Sequence, residues 1–93
     1  MKFARGQKVL RDPALARIGE FIAAILMYED GLSYQLAPID AEAFEYMKAK
    51  FKDIEAVPRY IYFNRLDNEV SLMPFPDRDC EVRLRFYPHI EEI

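Results

Sequence analysis

Apolar positions in the first third of the chain recur at spacings of three and four. Ala14, Leu15, Ile18, Phe21, Ile22, Ile25 and Leu26 form the stripe expected of an amphipathic helix. Asp12-Pro13 stands just before it. An aspartate can accept a hydrogen bond from a free amide of the first turn, and proline tolerates the first helical position. Gly31 follows Glu29-Asp30 and suits a left-handed cap. The pattern therefore predicts a helix over 13–29. Burying its six large apolar side chains would contribute on the order of 10 kcal/mol before entropy.

A short extended piece at 33–36 leads through Ala37-Pro38 to a second helix start at Asp40. Phe44, Met47 and Phe51 mark the apolar stripe of a helix over 41–52, with Glu42 and Glu45 early and Lys48, Lys50 and Lys52 late, as the helix dipole favours. From Val57 onward the period changes to two. Runs at 59–64, 69–73 and 81–87 read as strands, separated by Leu66-Asp67-Asn68 and by the proline-rich 74–79. Such short links join strands most economically as an antiparallel meander. Val70 and Leu72 would then share a face with Val82, Leu84 and Phe86. Strand 59–64 is apolar on both faces, with Ile61 and Phe63 on one and Tyr60 and Tyr62 on the other, so it needs cover on both sides, or a partner on one. The expected class is α+β: an N-terminal amphipathic helix, a short second helix and a C-terminal three-stranded antiparallel meander.

Ninety-three residues fit a single domain spanning 1–93. Its apolar share, 52%, is enough to build a core, and no repeat or linker interrupts it. Charge is uneven although the net is only −3. Residues 1–19 carry Lys2, Arg5, Lys8, Arg11 and Arg17 against Asp12 alone, so 1–11 reads as a flexible basic arm on an acidic body, or more simply as a solvated end that frays. An acidic body is a poor nucleic-acid binder. Cys80 is the one cysteine, which suits a reducing compartment. The apolar run over 21–28 falls far short of the roughly 20 residues that span a bilayer, and no secretory signal is visible.

Residues that could do chemistry are few. His89 is the single histidine, too little for a triad or a histidine-rich metal site. Cys80 sits between Asp79 and Glu81, whose charge disfavours the thiolate; it reads as a packing residue. Gly6, Gly19 and Gly31 make no phosphate loop. Pro76-Asp77 with Glu81-Val82-Arg83 approaches the PD-(D/E)xK nuclease signature. Arg83 replaces its lysine, however, and three residues between Asp77 and Glu81 leave no strand to present the aspartate. Asp77 and Asp79 read better as turn residues. Glu42, Glu45, Asp53 and Glu55 offer carboxylates without any sign of a pocket. No enzyme, cofactor, metal or small-molecule substrate is expected.

Residues 57–88 read VPRYIYFNRLDNEVSLMPFPDRDCEVRLRFYP, and this resembles the strand-rich part of the head–tail connector or tail-adaptor proteins of tailed bacteriophages. Pro58, Tyr60 and Tyr62 match the first strand of that pattern. Leu72, Pro74, Pro76 and Asp77 match the next strand and its Pro-x-Pro-Asp. Val82, Leu84, Phe86, Tyr87 and Pro88 match the last. Residues 36–40 and Phe44 resemble the segment that precedes it. The chain departs from the family in length, since such adaptors carry a larger helical part. The resemblance implies a non-enzymatic virion subunit at or near the head–tail junction. It would contact other virion proteins or itself, in a ring or repeated assembly, and occupy the host cytoplasm before assembly. A small accessory protein that modulates one host protein is the alternative. Candidate contact residues are Tyr60, Tyr62, Phe75, Arg83, Arg85, Phe86 and Tyr87, because tyrosine and arginine are enriched at interfaces. For the two arginines, weak cross-strand pairing with Glu69 is the plainer role, and aromatics at such strand positions more often belong to a core than to an interface.

Overall fold

The computed structural model describes residues 1–88, and it is mostly β. Seven strands make a nearly closed, barrel-like sheet in the order β1 (Lys2–Phe3), β9 (Cys80–Pro88), β3 (Ile18–Tyr28), β4 (Ser33–Ile39), β6 (Tyr60–Asn64), β7 (Glu69–Met73) and β2 (Leu10–Arg11). A two-residue parallel bridge joins β5 (Glu55–Ala56) to β8 (Phe75–Pro76). The one α-helix, α1 (Ala41–Phe51), connects β4 to its parallel neighbour β6. No helix among the described residues is long and apolar enough to cross a membrane.

The expected N-terminal helix is overturned. Asp12 does start a helical turn, its carboxylate accepting from the Ala14 amide, but a 3-10 helix ends it at Arg17. From Ile18 the chain is an eleven-residue strand. The apolar run 21–28 has no polar gap, so it satisfies either period. Its isoleucines favour the extended form, where branched side chains pack on a pleated surface. Strand periodicity then shows in burial: Ala24, Leu26 and Tyr28 are core, while Ile25 between them is 42% exposed. Gly31, with φ +92°, serves the turn between β3 and β4, where the Gly31 amide donates to the Tyr28 carbonyl and the Tyr28 amide to that of Leu32.

The C-terminal meander is overturned as well. β6 and β7 form the expected antiparallel pair, with Asn68 in the left-handed region of the turn. β9 does not follow at the edge of β7. Prolines cannot donate to a ladder, and Phe75-Pro76 instead pairs beside Glu55-Ala56. The edge of β7 is taken by β2, and β9 crosses over to lie between β3 and β1. Only a strand as long as β9 can pair along most of β3; the five residues of β7 could not.

Inside the barrel, Phe3, Leu26, Leu36, Ile61, Val70, Leu72 and Val82 form one buried cluster, with Leu15 packed among them. Val70, Leu72 and Val82 do share a core, although their strands are not neighbours. Residues 1–11, expected as a basic arm, form β1 and β2, the two edges of the sheet. Gly6, with φ +71°, turns between them, and its amide donates to the Pro76 carbonyl at 2.8 Å. The positive N-terminal segment finds acidic partners in its own chain: Arg5 with Glu55, Lys8 with Asp53, and Arg11 with Glu69.

Candidate functional site

Alternation along the strands gives the barrel an outer surface, and its two halves differ. On β6, Ile61 is buried in the barrel and Phe63 packs partly buried against it, whereas Tyr60 and Tyr62 point outward. Helix α1 covers them. Asp40 caps that helix by accepting from the Ala43 amide at 2.8 Å, and its Phe44, Met47 and Phe51 face the sheet. Phe44 stacks on Tyr62 with ring centroids 4.6 Å apart. Met73 and Phe75 complete this second cluster. Strand 59–64 thus gets the two-sided cover its apolar faces require.

Nothing among the described residues lies over the other half. There β9 sets Arg83 opposite Ile25 and Arg85 opposite Ala23, while Ser33 and Gln35 of β4 lie opposite Met27 and Ile25. Tyr87, 62% exposed, stands at the end of β9. The result is an open sheet face with an apolar strand in its middle and two arginines along one side. Arg83 approaches Glu81 of its own strand at 3.6 Å. Arg85 has no ion-pair partner among the described residues. The expected pairing of these arginines with Glu69 is not formed; Arg11 pairs with Glu69 instead.

The seven candidate contact residues are therefore divided. Tyr60, Tyr62 and Phe75 belong to the cluster under α1. Arg83, Arg85 and Tyr87 lie on the open face. Phe86 sits on the inner side of β9, at a groove of about 390 Å³ that Met1, Leu15, Ile18, Val82 and Leu84 also line. Ile25, Met27 and the groove residues Leu15 and Ile18 were missed by sequence reasoning, because 13–29 reads there as one helix; Met1 was missed because 1–11 reads there as an arm. The gapless apolar run and its isoleucines were the signal that could have placed Ile25 and Met27 on a strand.

The polar residues singled out for chemistry have structural work. Asp77 accepts from the Tyr28 hydroxyl at 3.2 Å and its amide donates to the Ala56 carbonyl. Asp79 accepts from the Arg5 amide at 2.9 Å. The Arg78 guanidinium lies 3.8 Å from the Tyr28 ring centre and 3.4 Å from Asp30. Burial first, then the charge of Asp77, pushes the Tyr28 hydroxyl up to about 12. Cys80 is buried, and that burial, with Asp77 and Asp79 nearby, pushes its thiol up to about 11. It lines a second groove of about 530 Å³ with Lys2, Phe3, Gln7, Tyr28 and Asp79. A thiol held protonated there packs well and attacks poorly. Asp53 and Glu55 are engaged by Lys8 and Arg5. Among the described residues no three histidine, cysteine or acidic side chains converge as metal ligands. His89 lies outside the described residues.

The described residues thus form a small barrel-like β fold with one α-helix clamped on one side. No family model matches it, and no curated protein matches it in sequence.

Proposed function

We propose that this protein works by contacting other polypeptides, without catalysis, through the open outer face of β3, β4 and β9. The observation that carries the reading is Ile25, 42% exposed on an uncovered sheet face, with Arg83 opposite it, Arg85 two residues further along β9 and Tyr87 toward the end of that strand. An apolar centre rimmed by arginine and tyrosine has the composition of a protein interface, and its charge suits an acidic neighbour. The matching aromatic surface on β6 is spent internally under α1, which leaves this face as the place for a partner.

The narrower reading is a structural subunit of a tailed-phage particle at or near the head–tail junction. It rests on the likeness over 57–88. The strands at 60–64, 69–73 and 80–88 all exist, although they pair differently from a meander. Mass spectrometry of purified particles from a phage encoding this chain tests it directly. Stoichiometric incorporation, lost on Ile25→Asp while the purified variant keeps its β-sheet circular dichroism, is the expected result. A chain absent from particles that forms a stable one-to-one complex with a host protein would replace the particle reading with the modulator reading. Unchanged incorporation of Ile25→Asp would remove the open face as the contact.

A further inference from the structure

The open face ends at a strand edge. β1 pairs with β9 at only two positions, Lys2 with Glu81 and Phe3 with Cys80. Met1 adds the last two bonds: its ammonium donates to the Val82 carbonyl at 2.9 Å and the Val82 amide donates to the Met1 carbonyl at 2.7 Å. Beyond Val82, β9 has β3 on one side and, among the described residues, no strand on the other. Hydrogen-bonding groups alternate in direction along a strand. Since those of Val82 turn toward β1, those of Leu84 and Phe86 turn toward the same vacant side. The irregularities in the β3–β9 ladder fall where β3 advances two residues for one of β9, so β9 keeps its alternation. Directly beneath this edge lies a groove lined mainly by apolar side chains, Met1, Leu15, Ile18, Leu84 and Phe86 among them, with Asp12 and Arg83 also on its lining.

We propose that this edge takes an extended peptide, paired antiparallel to β9, in which apolar and acidic residues alternate. The inference rests on the protein-contact reading above and names the partner's chemistry. Residues directly opposite in an antiparallel pair share a face. Partner residues opposite Leu84 and Phe86 therefore lie on the groove side and are apolar. Those opposite Arg83 and Arg85 lie on the outer face and are acidic. Charge also speaks against a second copy of the chain: β9 paired with itself about Leu84 sets Arg83 against Arg85, and about Arg85 it sets that residue against its own copy. Backbone bonds supply affinity and alternate side chains supply selectivity, as in strand addition generally.

The test is fluorescence anisotropy of a dye-labelled Val-Glu-Val-Glu-amide peptide with the full chain. The first valine faces Phe86 and the last glutamate faces Arg83. Saturable binding is expected, weakened roughly tenfold or more by Arg85→Glu. A Val-Lys-Val-Lys peptide should prefer the Arg83→Glu/Arg85→Glu variant over the unaltered protein, which shows that the variant is folded and the loss is one of charge. N-methylation of the two valines should abolish binding, because their amides face the edge, while N-methylation of the two glutamates should leave it within about twofold. Equal binding after valine methylation overturns the edge and leaves the open face standing. No binding by either peptide at millimolar concentration overturns the inference, as does dimerisation of the chain in sedimentation, which would give the edge to a second copy. Particle incorporation of Ile25→Asp reads the broader proposal separately.

Discussion

The covered and the open halves of the barrel surface start from similar material. Tyr60 and Tyr62 of β6, and Ile25 and Met27 of β3, are apolar side chains on the outward side of strands whose inward side is already core. One pair sits beneath a helix and the other faces out. The difference lies in connection. β4 and β6 are parallel, so the chain between them must travel the length of the sheet, and α1 makes that journey across their outer side. β3, β4 and β9 are neighbours through antiparallel pairing, which a tight turn or a crossover outside this face provides. Cover on this barrel follows from the parallel pairing, and exposure from the antiparallel one.

The sharpest way to break the comparison is on β3 itself, where inward and outward residues alternate. Leu26→Asp places an unpaired charge in the barrel interior and should abolish the folded state. Ile25→Asp, one residue away, should leave the circular dichroism spectrum and melting temperature nearly unchanged. A helix over 13–29 would have placed both residues on one buried stripe, so equal damage by the two substitutions would restore that reading. Next in size is the contrast between halves. Phe44→Ala removes the ring stacked on Tyr62 and should cost about 3 kcal/mol, whereas Ile25→Ala should cost under about 1 kcal/mol. Urea unfolding of both variants checks this. A cost for Ile25 equal to that for Phe44 would mean that the open half is covered.

Legibility follows the same division. The covered half was readable: Asp40 with the stripe Phe44, Met47 and Phe51 is a signal only a helix explains, and period-two alternation with Leu66-Asp67-Asn68 specifies the β6–β7 pair. The two-sided apolar strand called for cover or for a partner, and α1 supplies the cover. The open half was misread because Ile18 through Tyr28 is apolar at nearly every position, and a run without polar gaps carries no period. Asp12-Pro13 and Gly31 then lent helix-end signals to a strand that lies between them. Period two puts Arg83 and Arg85 on one side of their strand, but their strand neighbours depend on a crossover that no local pattern encodes. The parallel β4–β6 pairing and the strands of the basic segment are long-range choices of the same kind.

A titration separates the polar cluster at the β3–β9 end from the rest. Tyr28 and Cys80 both have hydroxyl or thiol values raised on folding, from 10.0 to about 12 and from 9.0 to about 11, chiefly by burial. A raised acid keeps its proton in the folded chain after the unfolded chain has lost it. Stability is then fully present below pH 9 and falls as pH rises through the window between about 9 and 12. Thermal melts across that range should show the decline, and Tyr28→Phe should remove the part of it that belongs to the tyrosine. A melting temperature flat to pH 12 would mean that neither group is as shielded as its place in the sheet implies.

The smallest effects distinguish two kinds of surface charge. Lys8 and Asp53 lie 2.9 Å apart, both largely exposed, and they tie the β1–β2 segment to the residues after α1. Exposed pairs contribute little and are screened by salt, so Lys8→Ala should lower the melting temperature by no more than about 2 °C, and less in high salt. Arg85 has no such partner among the described residues. Its replacement by alanine should leave the melting temperature unchanged at any salt concentration while weakening contact with an acidic partner. A stability loss on Arg85→Ala matching that of Lys8→Ala would mean that the arginine belongs to the fold, and the open face would then lose its charge-based claim on an acidic neighbour.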